Sequence, residues 1–249
     1  MAIAAWKRVE KSAGYQRKKL VLKRLVGREP RLRTDLDIPV LEEGGWRYCP
    51  GALDRDSVVY SLGIGKDTGF DQALMRRFGL QVHAFDPTPS TAQWLLEHPQ
   101  GPDFHYHPWA VTAQDGALTL YPRMRRNGRK SSVMYTLVAD GGARTDAIEV
   151  PAFSLGSIVL ELGHGRLDLL KIDIEGAEYD VLDTLPDLAV KPRQLLVEFH
   201  HRFAGIGPAR TVEAVAALRR QGFGLFAISD TGRELSFLRA DHAHRGDRS

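Results

Sequence analysis

Cysteine is almost absent: Cys49 stands alone among 249 residues. One thiol closes no internal disulfide and builds no multi-cysteine metal site, which suits a reducing cytoplasm. No nucleophile motif surrounds Cys49, so it reads as inert. Long apolar runs are missing as well. Nothing approaches the roughly 18 to 20 consecutive apolar residues of a membrane span, and 43% hydrophobic with 26% charged residues are ordinary soluble values. An export signal needs an apolar stretch behind its charges, but Leu20 to Val26 is cut by Lys23 and Arg24. Internal repeats are lacking too. The expectation is a soluble, cytoplasmic protein with one hydrophobic core.

Acidic residues are scarce at the start of the chain. Residues 1 to 33 hold Lys7, Arg8, Lys11, Arg17, Lys18, Lys19, Lys23, Arg24, Arg28, Arg31 and Arg33 against only Glu10 and Glu29. The whole chain carries a net charge of +3, so the remainder is acidic. This arm can lie on an anionic membrane surface or contact nucleic acid. It can equally be a solvated helix that packs Trp6, Leu20, Leu22 and Leu25 on the domain. Residues 39 to 50 read as a connector. The organisation expected is therefore a basic arm and connector over 1–50, one domain over 51–240 and a frayed tail over 241–249.

What is present in the domain is alternation of element type. A strand (Ser57 to Leu62) leads to a helix (Asp67 to Phe78). A second strand (Gln81 to Phe85) leads to a helix opening at Pro89-Ser90-Thr91. A short segment (Phe104 to His107) and a strand-like stretch (Ala117 to Tyr121) precede residues 122–145, which are rich in Arg and Gly and read as a loop. Then come Ile148 to Phe153, a helix (Ser154 to Leu162), an apolar strand from Leu169, and a helix (Ala177 to Leu185) ended by Pro186. The chain closes with a strand (Gln194 to Phe199), a helix (Thr211 to Gln221) and two strands, Phe223 to Ile228 and Glu234 to Arg239. Strands alternating with helices specify an α/β fold: a doubly wound, Rossmann-like, mostly parallel sheet, here with a C-terminal antiparallel hairpin.

Glycines and acids mark the strand ends. Gly63-Ile64-Gly65-Lys66-Asp67-Thr68-Gly69 follows the first strand, where glycine lets the backbone turn tightly and approach a ligand. Asp86 ends the second strand about 20 residues on, the spacing at which an acid takes ribose hydroxyls. Together they point to a ribose-bearing cofactor without choosing between a nicotinamide dinucleotide and S-adenosylmethionine.

The stretches VVYSLGIGKDTGFD, VHAFDPTP, DLLKIDIEGAEYDVL and QLLVEFHH, in this order, resemble the FkbM family of S-adenosylmethionine-dependent methyltransferases over roughly Val58 to His201. The terminal hairpin is also the arrangement of class I methyltransferases. The resemblance implies that the loop of Gly63 and Gly65 receives the methionine part of the cofactor; Asp67 in the same loop is a further cofactor-binding candidate. It further implies that Asp86 holds the ribose and that Trp109 and Ala110 border the adenine. Lys66-Asp67 is an insertion in the loop, and the basic arm is not inherited from the family.

Methyl transfer to a hydroxyl requires alignment and removal of a proton. Asp173 and Glu175 leave one strand at the crevice, and Glu198 and His200 end the next, with His201 just beyond. These are the candidate catalytic groups. Asp173, Glu198 and His200 also suit a divalent cation as an oxygen and nitrogen set. Glu178 reads as complementing a helix dipole, Lys171 as a structural partner of an acid, and His105 and His107 as a solvated or hydrogen-bonded pair. Arg123, Arg125, Arg126, Arg129 and Lys130 form either an anion-binding cluster or a solvated loop. The expected activity is O-methylation of a sugar or similar hydroxyl-rich metabolite. The alternatives are an NAD(P)-dependent oxidoreductase, disfavoured because no Tyr-x-x-x-Lys pair follows a serine, and an inactive fold binding nucleic acid or a membrane surface through its arm.

Overall fold

The computed structural model describes residues 13–124, 130–136 and 147–243. Trp6, Lys7, Arg8, Glu10, Lys11, Arg125, Arg126, Arg129 and tail residues 244–249 lie outside the described residues.

The central sheet has seven strands: β3 (Val58–Leu62), β4 (Gln81–Phe85), β5 (Phe104–His107), β10 (Leu169–Ile172), β11 (Gln194–Glu198), β12 (Phe223–Ile228) and β13 (Glu234–Arg239). Their spatial order is β12-β13-β11-β10-β3-β4-β5. The pairs from β11 to β5 are parallel, and β13 runs antiparallel to both β11 and β12. The terminal hairpin expected from the sequence is therefore present, with its second strand inserted next to β11. Winding reverses between β3 and β10, so their carboxyl ends flank the crevice where open α/β sheets take ligands.

The strands are apolar on both faces because helices cover both. Tyr60, Leu62, Leu170, Ile172, Leu195 and Val197 enter one core with Leu155 and Ile158 of α4 (Leu155–Glu161), Tyr179 and Leu182 of α5 (Glu178–Thr184), and Val215 and Leu218 of α6 (Gly207–Arg220). Their neighbours Val59, Val82, Leu169 and Leu196 turn the other way, onto Phe70 and Leu74 of α2 (Gly69–Phe78). On that face Lys171 is buried with its ammonium 4.9 Å over the Trp46 ring. It lowers the carboxyl pKa of buried Asp71, while desolvation, the larger influence, raises it.

Several expectations change. The connector contains a ribbon, β1 (Leu41–Glu43) and β2 (Trp46–Tyr48), closed by Gly44-Gly45. Both glycines have positive φ, as a two-residue hairpin demands, and a β carbon on Gly44 would stand 2.6 Å from the Phe70 backbone nitrogen. α2 begins at Gly69 rather than Asp67, and α6 begins four residues before Thr211, with Pro208 in its first turn. Within the stretch expected as a loop, 122–145, the described residues 122–124 and 130–136 are strand. A second sheet, ordered β6-β9-β7-β8, joins β6 (Ala110–Thr112), β9 (Ile148–Ser154), β7 (Gly116–Met124) and β8 (Lys130–Thr136). Strands β7 and β8 pair antiparallel, Tyr121 with Thr136 and Met124 with Lys130. Helix α3 (Pro89–Glu97) follows β4, and the short α7 (Ala240–Ala243) forms where the tail was expected to begin fraying.

The arm contributes α1 (Ala13–Leu25). Leu20 is buried against Gly232, and Arg17 reaches Asp230 at 2.8 Å. Leu22 and Leu25 do not pack on the domain; they are 63% and 66% exposed. Among the described residues no helix is long and apolar enough to cross a membrane.

Candidate functional site

β3 ends in a loop that only glycine can make. Gly63 has φ +73°, and a β carbon there would stand 1.8 Å from the Asp173 carbonyl oxygen. The absent side chain lets the loop after β3 press against the end of β10. Gly65, at φ +52°, would meet nothing within 4 Å, so that side of the loop faces open space. Its N–H donates to Asp86 Oδ2 at 2.8 Å.

Asp86 is buried at the end of β4 and already well supplied with donors. Its Oδ1 accepts from the Thr88 N–H at 2.9 Å and from the Thr88 hydroxyl at 2.6 Å. A carboxylate has about four acceptor sites, so three donors leave one, on Oδ2 beside the loop. One ribose hydroxyl fits there. A second fits if the Thr88 hydroxyl turns fully to Thr91 Oγ1, 2.8 Å away. The Tyr106 hydroxyl donates to the Asp86 carbonyl at 2.7 Å and fixes the strand end. Trp109 stands between Phe153, at 4.9 Å between ring centroids, and His107, at 4.7 Å, and Ala110 is buried next to it. Asp67 is exposed and accepts the Gly69 N–H at 2.9 Å at the start of α2.

The acids gather on the other side of the crevice. β10 ends at Ile172, so a turn, rather than strand alternation, presents Asp173 and Glu175. Glu175 has φ +49°, a left-handed conformation that side chains with a β carbon rarely adopt, and such strain concentrates at functional sites. The imidazole of His200, 6% exposed, is the meeting point. Its Nε2 lies 3.8 Å from Asp173, 3.9 Å from Glu175 and 3.8 Å from Glu198, beyond hydrogen-bond distance in each case. All four candidate catalytic residues therefore meet around one ring.

The group that organises them is Glu178. It is fully buried, accepts the Gly176 N–H and the His200 N–H at 2.7 Å each, and lies 3.4 Å from His200 Nδ1. A first-turn acid was legible in the sequence, but its burial and its tie to the next strand were not. Arg233, from the β12–β13 turn, contacts Glu198 and was not anticipated either.

Burial and charge act together on this cluster. Desolvation pushes the Asp173 carboxyl up, and Lys171 and His200 only partly offset it. Glu198 is pushed up to about 7 by desolvation and by the Asp173 charge, despite Arg233. Burial alone would lower His200, but Glu178, Glu198 and Glu175 outweigh it, and the imidazole is raised. The surrounding carboxylates favour the protonated form of His200, and with Glu198 pushed up to about 7 the Asp173–Glu198 pair sits close to its own titration. Asp173, Glu198 and His200 offer donor atoms within 4.8 Å of one another, a spacing that admits a divalent cation.

Beside the crevice, His201 is buried and shares a 2.8 Å hydrogen bond with Glu29 of the arm, which also takes Arg202. His105 and His107 belong to a larger cluster than a pair. His83 stacks on both and shares a 3.2 Å hydrogen bond with His107, while His164 bonds the Tyr60 hydroxyl at 2.7 Å. The side chains of Arg123 and Lys130 lie outside the described ones.

The strand order, the glycine loop at the switch point and the acid at the end of β4 define a class I methyltransferase fold. The family model for the methyltransferase FkbM domain matches residues 52–225. The chain belongs to that family of S-adenosylmethionine-dependent methyltransferases, which displaces the oxidoreductase alternative. It is 29% identical over 199 residues to a probable methyltransferase-like protein 24 of Rattus norvegicus and 27% identical over 194 residues to that of Homo sapiens. Each alignment covers 74% of this chain and 46% of the relative, so the chain spans about half the length of these curated relatives. Among solved structures, the Methanococcus jannaschii fibrillarin pre-rRNA processing protein is similar at a TM-score of 0.43 and 11% identity, covering 84% of this chain and 86% of that one.

Proposed function

We propose that this protein moves the methyl group of S-adenosylmethionine to a hydroxyl oxygen of a sugar or similarly hydroxyl-rich small molecule. The observation that carries the reading is the cluster of Asp173, Glu175, Glu198 and His200 within 4 Å of one ring, at a strand end pressed against the Gly63 loop. A hydroxyl is a poor nucleophile at neutral pH, and a nearby carboxylate that accepts its proton answers that need.

The roles divide along the crevice. The cofactor supplies an electrophilic methyl on a sulfonium. Gly63 and Gly65 leave room for its methionine part, Asp86 accepts a ribose hydroxyl, and Trp109 with Ala110 gives an apolar border for the adenine. On the acceptor side, the Asp173–Glu198 pair takes up the single hydroxyl proton, shared between the two carboxylates. His200 is the positioning residue: held by Glu178, it keeps the two carboxylates apart and balances their charge. Asp67, exposed and holding one donor at the start of α2, keeps acceptor sites free beside the loop. The lone buried Cys49 supports a reducing, cytoplasmic setting.

A divalent cation at Asp173, Glu198 and His200 is the second use of the same donors. Arg233 pairs with Glu198, and the neighbouring carboxylates raise the His200 imidazole, disfavouring the neutral form a metal ligand needs, which favours proton transfer without metal. Incubation with methyl-labelled S-adenosylmethionine and a panel of free and nucleotide-linked sugars, with EDTA or with added magnesium, tests both. Label in an ether methyl and indifference to EDTA are expected. Transfer only to nitrogen or carbon acceptors contradicts the oxygen reading, and loss of transfer in EDTA restored by magnesium contradicts the metal-free base.

A further inference from the structure

Helix α1 docks on the domain with the wrong face for a soluble amphipathic helix. Leu20 and Arg17 hold it to the β12–β13 turn. At 100° per residue, Val21, Leu22, Leu25 and Val26 fall on a stripe pointing away from that contact. They are 56%, 63%, 66% and 61% exposed. Large aliphatic residues standing singly on a surface are normal, but four adjoining ones mark a contact surface.

Charge says what kind of surface. Residues 13–33 carry Arg17, Lys18, Lys19, Lys23, Arg24, Arg28, Arg31 and Arg33, eight cations, against the single carboxylate Glu29. Glu29 is 3% exposed and turned inward to His201, Arg202 and Lys23. The outward stripe is therefore aliphatic and its surroundings uniformly basic. Phosphate backbones of nucleic acid satisfy the cations but give the aliphatic stripe no partner. An anionic lipid surface satisfies both, with acyl chains beneath the stripe and headgroup phosphates around it.

We propose that α1 is a peripheral docking element for anionic lipid bilayers, with Val21, Leu22, Leu25 and Val26 entering the interface and the exposed Lys18 and Lys19 meeting the headgroups. The helix is tied by Glu29 to His201, the residue after His200. Docking through α1 thus holds the acidic crevice close to the bilayer, where a lipid-borne acceptor is within reach. The docking stands independently of the methyl-transfer reading, because its readout is binding.

The test is co-sedimentation of the full chain with phosphatidylcholine vesicles, with and without phosphatidylglycerol, over a range of salt. Binding to the anionic vesicles alone is expected, weakening as salt rises. The double variant Leu22→Asp/Leu25→Asp is expected to lose about tenfold or more of that affinity, and Lys18→Glu/Lys19→Glu a comparable factor. Both must keep the wild-type circular dichroism and bind S-adenosylhomocysteine as the wild type does. No binding to anionic vesicles, or binding indifferent to the aspartate pair, overturns the proposal. So does salt-sensitive retention on RNA or DNA by a chain that ignores vesicles, and so does sedimentation showing that the stripe joins two copies of the chain.

Discussion

Asp86 and Asp173 stand at the ends of two strands of one sheet, on opposite sides of one crevice, and they are held in opposite ways. Asp86 is preorganised: Gly65 and Thr88 donate to its carboxylate and Tyr106 to its backbone carbonyl before any ligand arrives. Asp173 is not. It meets Glu198 and Glu175, the latter with left-handed backbone, across the Nε2 of His200, whose distances to all three exceed hydrogen-bond length. A cofactor pocket gains affinity from preorganised donors and acceptors, whereas a proton acceptor must sit near the balance of its two charge states. The two aspartates show both requirements within one fold.

That contrast can be broken from either side. The largest effect is expected at the acid cluster: Asp173→Asn removes one member of the proton-accepting pair without changing its size, and turnover should fall by about 10²- to 10⁴-fold while affinity for S-adenosylhomocysteine stays within about twofold. Next comes Asp86→Asn, which replaces a charged acceptor with an amide; cofactor affinity should drop about 10- to 100-fold. A stopped assay under saturating cofactor would separate this loss from one in chemistry.

The pH dependence sharpens the comparison. Glu198 titrates at about 7 and acts as a base only when deprotonated, so kcat/KM should rise as pH increases through about 7. In Glu198→Gln that rise should flatten or move. The smallest effect concerns stability. Burial, then neighbouring imidazoles, lowers His83 to about 3 and His107 to about 4, against an ordinary value of 6.5. The folded state keeps both rings neutral, while the unfolded chain takes up protons below 6.5. Stability is therefore complete above 6.5 and lost progressively as pH falls toward 3. Thermal melts from pH 7.5 to pH 5 should show a falling Tm, with a shallower slope in His83→Phe.

Much of the fold was legible because it rests on local patterns. The apolar strands at Val58, Val82, Leu169 and Leu195 are covered on both faces, so each reads as a continuous run, and Gly63, Asp86 and Asp173 fall at the strand ends that the alternation marks. The ribbon at Leu41–Tyr48 and the β7–β8 hairpin were hidden, since their pairing depends on partners that composition does not reveal. The site followed the same rule. Asp173, Glu175, Glu198 and His200 were found from their positions, but the roles of Glu178 and Arg233 come from contacts between distant elements. Leu22 and Leu25 misled for the converse reason: helical spacing identifies an apolar stripe but not which way the docked helix turns it.

The most direct test of the division between the two aspartates is calorimetric titration of S-adenosylhomocysteine into the wild type, Asp86→Asn and Asp173→Asn at pH 7.5. The expected result is wild-type affinity in Asp173→Asn and a loss of about tenfold or more in Asp86→Asn. Equal losses in the two variants, or none in Asp86→Asn, would contradict the assignment of one side of the crevice to the cofactor and the other to the acceptor.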